Sequence, residues 1–218
     1  HYLGNVGLIS AGVFYKNINK FVYLSQMPIS SDSPYGYENS PFTSLRKKLN
    51  GQSANVYGAE LSLTLPFTFL PGFLKNLMFT GNYTFVKSLA TVERLTGEDA
   101  SPAGEPEQDS IRLPGQADHT ANFALSYSDK RFTVQASYNY IGDYIVSLGA
   151  NSNLDVWMQG RWQLDANASV NIIKGLSFYV EANNLTNARK YQYVGCTDRV
   201  YELRFMGPTA RCGFKYKF

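Results

Sequence analysis

The sequence predicts an all-β fold, the wall of an antiparallel transmembrane β-barrel, and three observations carry that expectation. Apolar and polar side chains alternate over long runs, aromatic residues are abundant (Tyr 16 and Phe 14 in 218 residues), and the longest runs are joined by tight turns. Successive side chains of a strand point to opposite faces, so long alternating hairpins yield one apolar and one polar face. That division suits a wall with lipid on one side and a wet or protein-filled lumen on the other. The closing stretch, Arg211-Cys212-Gly213-Phe214-Lys215-Tyr216-Lys217-Phe218, shows the pattern: rings at 214, 216 and 218 share one parity, and Arg211, Lys215 and Lys217 share the other. No apolar run reaches the ~18 residues that a membrane-spanning helix needs.

The elements follow in order. Residues 5–23 form a first strand whose alternation is imperfect, because Leu8 and Phe14 share a face with Ser10 and Lys16. Residues 25–50 read as irregular, since Met27-Pro28, Ser33-Pro34 and Ser40-Pro41 interrupt any ladder. Residues 52–65 alternate Tyr57, Ala59, Leu61, Leu63 and Leu65 against Gly58, Glu60, Ser62 and Thr64, and 76–89 alternate Leu77, Phe79, Gly81, Tyr83 and Phe85 against Thr80, Asn82 and Thr84. Residues 90–115, with Glu93, Glu98, Asp99, Glu105, Glu107 and Asp109 among prolines and glycines, read as a solvated loop; their spacing is not that of a calcium loop. The run 116–127, the tight turn Ser128-Asp129-Lys130 and the run to Ser147 form a hairpin. A long clean run spans 155–170, with Trp157 the one apolar residue on its polar parity, and after the turn Ile173-Lys174-Gly175 the alternation resumes. Runs at 201–205 and 209–218 end the chain, which makes eight strands with continuous runs of 12 to 18 residues.

Connector lengths alternate long and short: 24–51, 66–75, 90–115, 128–130, 148–153, 171–175 and 194–203. In an antiparallel meander alternate connectors lie at the same end. Outer-membrane barrels have this asymmetry, with short periplasmic turns and longer extracellular loops. Residues 25–50, 90–115, 148–153 and 194–203 are therefore expected outside the cell, with 71–75, 128–130 and 172–175 at the periplasmic rim. Glu60, Arg161, Asp165, Glu181, Arg211, Lys215 and Lys217 all fall on the polar parity and are expected to face the lumen, because a charge facing lipid near mid-membrane costs a few kcal/mol. Tyr138, Tyr140, Phe214, Tyr216 and Phe218 are expected to face lipid and support assembly, the last of them at the periplasmic aromatic girdle.

A net charge of +3, dispersed along the chain, offers no basic patch for nucleic acid. Cys196 and Cys212 lack zinc-site spacing. They permit one disulfide in an oxidising compartment, while the shared parity of Cys212 and Phe214 equally suits a lipid-facing thiol. His119 lies on the apolar parity and reads as a packing residue. No nucleophile or metal constellation of an enzyme is present in the sequence, and no cofactor is expected. His1 opens inside what reads as a running strand, as in a piece of a longer or processed protein.

Several strings resemble the C-terminal part of TonB-dependent outer-membrane receptors: Gly12-Val13-Phe14-Tyr15-Lys16-Asn17-Ile18, Tyr57-Gly58-Ala59-Glu60-Leu61, Leu113-Pro114-Gly115-Gln116-Ala117-Asp118-His119-Thr120-Ala121-Asn122, Ser137-Tyr138-Asn139-Tyr140-Ile141-Gly142-Asp143-Tyr144, Leu176-Ser177-Phe178-Tyr179-Val180-Glu181-Ala182-Asn183-Asn184-Leu185-Thr186-Asn187 and the closing Gly213–Phe218 stretch. The resemblance implies that residues 1–218 are the last eight strands of a 22-stranded barrel. An N-terminal plug would fill that barrel, and the TonB-ExbB-ExbD complex would energise it. It further implies outer-membrane lipid and the barrel assembly machinery as partners, a surface lipoprotein as a possible one, and import of an iron-siderophore, haem, cobalamin or glycan. Loops on a rigid wall commonly supply recognition, which makes Tyr35, Tyr37, Arg46, Lys47, Lys48, Glu98 and Asp99 the candidate ligand contacts. The competing readings are a stand-alone eight-stranded membrane barrel acting as a passive pore, adhesin or structural anchor, and a soluble β protein that binds a small ligand.

Overall fold

A computed structural model of the chain describes residues 7–28, 44–94 and 107–218, in which the alternating runs pair edge to edge. The strands are β1 (Leu8–Asn19), β2 (Val22–Pro28), β3 (Ser44–Asn50), β4 (Ser53–Pro66), β5 (Leu77–Arg94), β6 (Glu107–Ile111), β7 (His119–Ser128), β8 (Phe132–Ile141), β9 (Tyr144–Ser147), β10 (Val156–Met158), β11 (Arg161–Ile173), β12 (Leu176–Asn183), β13 (Lys190–Val194), β14 (Val200–Arg204) and β15 (Thr209–Tyr216). The wall is an antiparallel meander in the order β1-β4-β5-β7-β8-β11-β12-β15, with β6 added beside β5. Among the described residues β1 and β15 each pair on one side only.

Register converts the alternation into two faces. Across the wall, Leu61, Tyr83, Ala121, Tyr140 and Trp162 stand opposite one another, as do Leu63, Gly81, Phe123, Tyr138 and Leu164. Rings stack along this side, Phe79 on Phe123 (6.1 Å between centroids), Phe123 on Tyr138 (6.4 Å) and Tyr138 on Trp162 (5.7 Å). The opposite side carries the row Ser62, Asn82, Asn122, Asn139 and Gln163. Its members hydrogen-bond across strands, Asn122 Nδ2 donating to Asn82 Oδ1 at 2.9 Å. The uncertain facing of β1 resolves here: Ile9, Ala11, Val13 and Tyr15 lie on the apolar side, in register with Leu63, Leu61, Ala59 and Tyr57. Phe14 is on the polar side because its ring lies over Gly58, where an added Cβ would sit 2.7 Å from the ring and 2.3 Å from the Phe85 carbonyl oxygen.

Four expectations are corrected. The first run is not one strand: it breaks at Lys20, whose φ of 55° lies in the left-handed region. The segment 24–51 is not wholly irregular, because Val22–Pro28 pairs with Ser44–Asn50, Pro28 falling at the end of the ladder where its missing N–H is harmless. Nor is 90–115 simply a loop, since β5 runs on to Arg94 and β6 pairs with it. The later runs are not continuous either. They break at 142–143, 159–160, 184–189 and 205–208, and beyond those breaks β9, β10, β13 and β14 form a second sheet in the order β14-β13-β10-β9. That is the order in which β15, β12, β11 and β8 stand in the wall, so the second sheet is the wall continued past a joint.

Asn184 builds the joint. Its φ of 58° and the 51° of Asn187 are conformations asparagine tolerates better than most residues. Its N–H donates to Asp165 Oδ1 (2.8 Å), its Oδ1 accepts from Ala188 N–H (2.7 Å), and its Nδ2 donates to the carbonyls of Ala188 (3.3 Å) and Gly207 (3.1 Å). One side chain thus ties the β12–β13 connector to the β14–β15 connector. At the other breaks, Gly142 N–H donates to His119 O (2.9 Å) and Gly160 N–H to Asp143 Oδ1.

At the opposite end the wall closes with short turns. The Tyr127 hydroxyl donates to Asp129 Oδ2 (2.7 Å), and the N–H groups of Arg131 and Phe132 donate to Oδ1 (2.7 Å each). These donors, the tyrosine first, hold the Asp129 carboxyl below its ordinary value of 3.8. A carboxyl whose folded value is lowered contributes stability that is complete above the unfolded value and is lost as pH falls through the folded one. Amide exchange at Phe132 should therefore be pH-insensitive in its protection down to about pH 4 and rise below it. In Asp129→Asn that acid step should vanish; a step of equal size in the variant would place its cause elsewhere.

Candidate functional site

The polar face of the wall changes character along its length. Near the short turns it carries Ser126, Gln135, Asn167, Glu181 and Arg211 in one row. Higher up, the same parity of β4 and β5 becomes Ala54, Val56, Ala90 and Val92, all buried, with Ala54 and Ala90 at 0% exposure. The small side chains make room for a strap: the β2–β3 hairpin lays Phe21 and Tyr23 over them, joined by Ile111, Ile145 and Leu148 in one apolar core. Fit is close, since a Cβ on Gly51 would sit 2.2 Å from the Phe21 ring. The strap then reaches the second sheet, where Leu148 N–H donates to Leu24 O (3.0 Å) and Ser25 bridges Leu148 in parallel.

A buried ion cluster stands beside this core. Arg94 Nη1 meets Asp155 Oδ1 (2.7 Å), Arg94 Nε and Nη2 meet Asp109 Oδ2 (2.6 and 2.5 Å), and Gly149 N–H donates to Asp155 (3.0 Å). Burial pushes the Asp155 carboxyl above the usual range, and Arg94 and the Gly149 N–H pull it back. Removing two charges from water costs several kcal/mol each, which only good pairing offsets. The cluster therefore locks three segments, the end of β5, the middle of β6 and the 149–155 connector, in one arrangement.

Trp157, the exception on its parity, stacks on Tyr193 (6.4 Å, 6° between planes) and packs against the core, with the Arg112 guanidinium over its ring at 5.4 Å. Its apolar character follows from the strap and core that cover that face.

The residues singled out above fall into separate places. Arg46, Lys47 and Lys48 lie on β3, and the Arg46 guanidinium donates to the Tyr201 hydroxyl on β14. Tyr35, Tyr37, Glu98 and Asp99 lie outside the described residues. Glu60 stands opposite Thr84, and Glu181 pairs with Arg211 across β12–β15. Asp165 accepts from Asn184 N–H, from Gln163 Nε2 (2.8 Å) and from Asn139 Nδ2 (3.4 Å). Arg161 stands opposite Ile141 and Lys215 opposite Ser177, while Lys217 N–H donates to Gly175 O (2.7 Å) beyond the end of β15. Tyr138 and Tyr140 belong to the aromatic rows, and Phe214, Tyr216 and Phe218 are exposed on the same side. His119 packs between Tyr83 and Phe85, its Nδ1 2.7 Å from the Tyr83 hydroxyl.

Cys196 and Cys212 stand as free, exposed thiols on separate elements. Cys212 stands in the apolar row opposite Val180, on the wall, whereas Cys196 lies in the turn between β13 and β14; β14 and the joint at 205–208 separate them. Three groups escaped sequence reasoning: Arg94 with Asp155, Tyr201 with Glu202 and Arg204, and the Asn184 hub. Only the last carried a signal, the Asn-Asn-Leu-Thr-Asn string.

The geometry can be set beside known proteins. Residues 2–185 match the family model described as TonB dependent receptor-like, beta-barrel. A comparison with curated protein sequences gave no match. Among solved structures, the siderophore receptor PiuA from Acinetobacter baumannii is similar over 100% of this chain and 27% of its own, with TM-score 0.63 and 18% identity. The ferric-catecholate import receptor Fiu from K12 E. coli is similar over 99% and 26%, with TM-score 0.58 and 18% identity. The copper transporter OprC is similar over 100% and 30%, with TM-score 0.61 and 12% identity. At such identities the likeness is one of fold, and the chain spans between a quarter and a third of those proteins. With most of its length matched by the family model, the chain belongs to the TonB-dependent receptor-like β-barrel family, transport scaffolds of the bacterial outer membrane that are not catalysts.

Proposed function

We propose that residues 1–218 form the C-terminal wall of a TonB-dependent importer of a large, scarce nutrient, with an iron-siderophore as the first candidate. The observation that carries the reading is the two-faced meander whose edge strands, β1 and β15, are each unpaired on one side among the described residues. Earlier strands of the same barrel would pair with those edges, to make 22 in all, and leave a lumen wide enough for an N-terminal plug. The apolar face, with Tyr138, Tyr140, Phe214, Tyr216 and Phe218, meets lipid. The polar face, with Glu60, Arg161, Asp165, Glu181, Arg211 and Lys215, meets the lumen. The long connectors and the second sheet stand outside the cell, and Tyr35, Tyr37, Arg46, Lys47, Lys48, Glu98 and Asp99 are the ligand-contacting candidates there. TonB-ExbB-ExbD would act through the plug, and the barrel assembly machinery would insert the wall.

The cargo class draws support from the likeness to a siderophore receptor and a ferric-catecholate import receptor, while the likeness to a copper transporter puts other metals beside it. The test is uptake by cells carrying the full-length parent, offered ferric siderophores, haem, copper and oligosaccharides, with and without TonB. Accumulation of one ferric siderophore only when TonB is present is expected. Uptake indifferent to TonB would replace the importer with a passive pore, and TonB-dependent uptake of oligosaccharide or haem alone would keep the mechanism and discard the siderophore.

A further inference from the structure

Charge that is scattered along the sequence is gathered by the fold at one end of the wall. The short connectors, 67–76 between β4 and β5, 129–131 between β7 and β8 and 174–175 between β11 and β12, all lie at the same end of the meander, as does the end of β15. They carry Lys75, Lys130, Arg131 and Lys174, and Lys217 follows β15, whereas Asp129 is the one side-chain carboxylate there. This rim therefore holds a net side-chain charge of +4 in a chain whose total is +3. All five cations are exposed, and none of them forms an ion pair among the described residues. The oxygens of Asp129 are already taken by the Tyr127 hydroxyl and by two N–H groups of their own turn.

The rim is built as one edge. Asn76 Nδ2 reaches the Tyr127 hydroxyl (3.5 Å), which in turn donates to Asp129. Asn171 donates from its N–H to Arg131 O (2.8 Å) and from Nδ2 to Lys130 O (2.9 Å), and Lys217 N–H donates to Gly175 O (2.7 Å). Neighbouring turns are thus tied to one another, and the cations stand in a row on fixed backbone. Exposed apolar side chains interleave with them: Phe69, Phe73, Phe132, Ile173 and Phe218. Phe132 lies on the apolar side of the wall, opposite Val170, and the Arg131 guanidinium sits 5.6 Å from its ring centroid. Long cationic side chains lay their stems along apolar surface and keep their heads at the polar boundary. Rings and cations at one level are the composition of a membrane–water interface.

We propose that this rim selects anionic phospholipid, with the phosphodiester headgroup of a phosphatidylglycerol accepting from Lys130, Arg131 and Lys174 while its acyl chains lie against Phe132 and Val134. Continuity favours a lipid over an acidic protein, because the cations border the same apolar face that the wall turns to the bilayer. That the lipid belongs to the periplasmic leaflet rests on the orientation proposed above; the pairing itself rests only on the reading of this sheet as a membrane wall.

The experiment uses the full-length protein with both native cysteines replaced by Ser and a bimane fluorophore on Ser128→Cys. It is placed in phosphatidylcholine nanodiscs that contain brominated phosphatidylglycerol or, in parallel, brominated phosphatidylcholine at the same mole fraction. Quenching should report phosphatidylglycerol enriched roughly fivefold at the rim, the effect of one cation at an anionic surface. The combined change Lys130→Gln, Arg131→Gln and Lys174→Gln should bring the two lipids to parity, and Arg199→Gln, in the turn between β13 and β14, should keep the enrichment. Salt at about 0.5 M, where screening is strong, should lower the enrichment in the unaltered rim, a readout that needs no variant to fold. Equal quenching by the two lipids overturns the proposal and leaves the rim to an acidic protein, and enrichment that survives the triple variant overturns it as well. A protein that enters neither disc would contradict the membrane-wall reading and this proposal together, whereas insertion without enrichment refutes this proposal alone.

Discussion

Replacing Asp155 with Ala should destabilise the region above the joint by about 3 kcal/mol, the lower end of the cost of breaking a buried ion pair, because Arg94 loses Asp155 but keeps Asp109. Arg94 is 7% exposed at its side chain and Asp155 4%, so neither can turn to water when its partner is removed. The effect should be local, because the wall strands take their stability from ladders and packing that the cluster does not touch. Hydrogen exchange would show this: amides of Glu107–Ile111 and of residues 148–155 should exchange roughly two decades faster, while those of His119–Ser128 keep their protection. The paired change Arg94→Met with Asp155→Leu removes the two buried charges, leaves Asp109, whose side chain is 29% exposed, to meet water, and should recover most of the loss. Protection unchanged in Asp155→Ala would mean that the cluster does not hold the three segments together.

Truncating Phe21 to Ala is the second large effect. Its ring fills the space above Gly51, and it belongs to the core with Tyr23, Ala54 and Ala90, so the change opens a cavity that the rigid strands beneath cannot close. Phe→Ala in a core typically costs about 3–5 kcal/mol. The strap should detach as a unit, with the amide of Leu148 losing its bond to Leu24 and that of Gly51 its bond to Phe21. The hairpin β7–β8 should be unaffected. A variant that retains slow exchange at Leu148 would contradict the role assigned to Phe21.

The wall was legible in the sequence because its strands after the first obey one local rule, alternation, and register followed from turns such as Ser128-Asp129-Lys130. Leu61 opposite Tyr83 and Asn82 opposite Asn122 need nothing beyond parity and turn position. The second sheet was hidden for a physical reason. Across Gln159 and Gly160 the alternation keeps its phase, so Val156–Met158 and Arg161–Ile173 read as one strand although the chain is jointed between them. The strap was hidden by its composition: prolines at 28, 34 and 41 spoke against a ladder, yet they lie at or beyond the ends of the paired segments. The ion cluster depended on contacts between residues 94, 109 and 155, which no local pattern encodes. At the contact between β3 and β14, only Arg46 was picked out in advance, for its charge on a long connector. Tyr201 became the partner of that arginine only once the fold brought β14 to β3.

Orientation in the membrane is the central claim, and the native Cys196 provides a direct probe of it. It is exposed in the turn between β13 and β14, while Cys212 lies in the apolar row of the wall. In Cys212→Ser, a membrane-impermeant maleimide should label Cys196 on intact cells. In a background with both native cysteines replaced by Ser, Asp129→Cys should label only after the outer membrane is breached. Labelling of Asp129→Cys on intact cells with Cys196 protected would place the short turns outside and contradict the account.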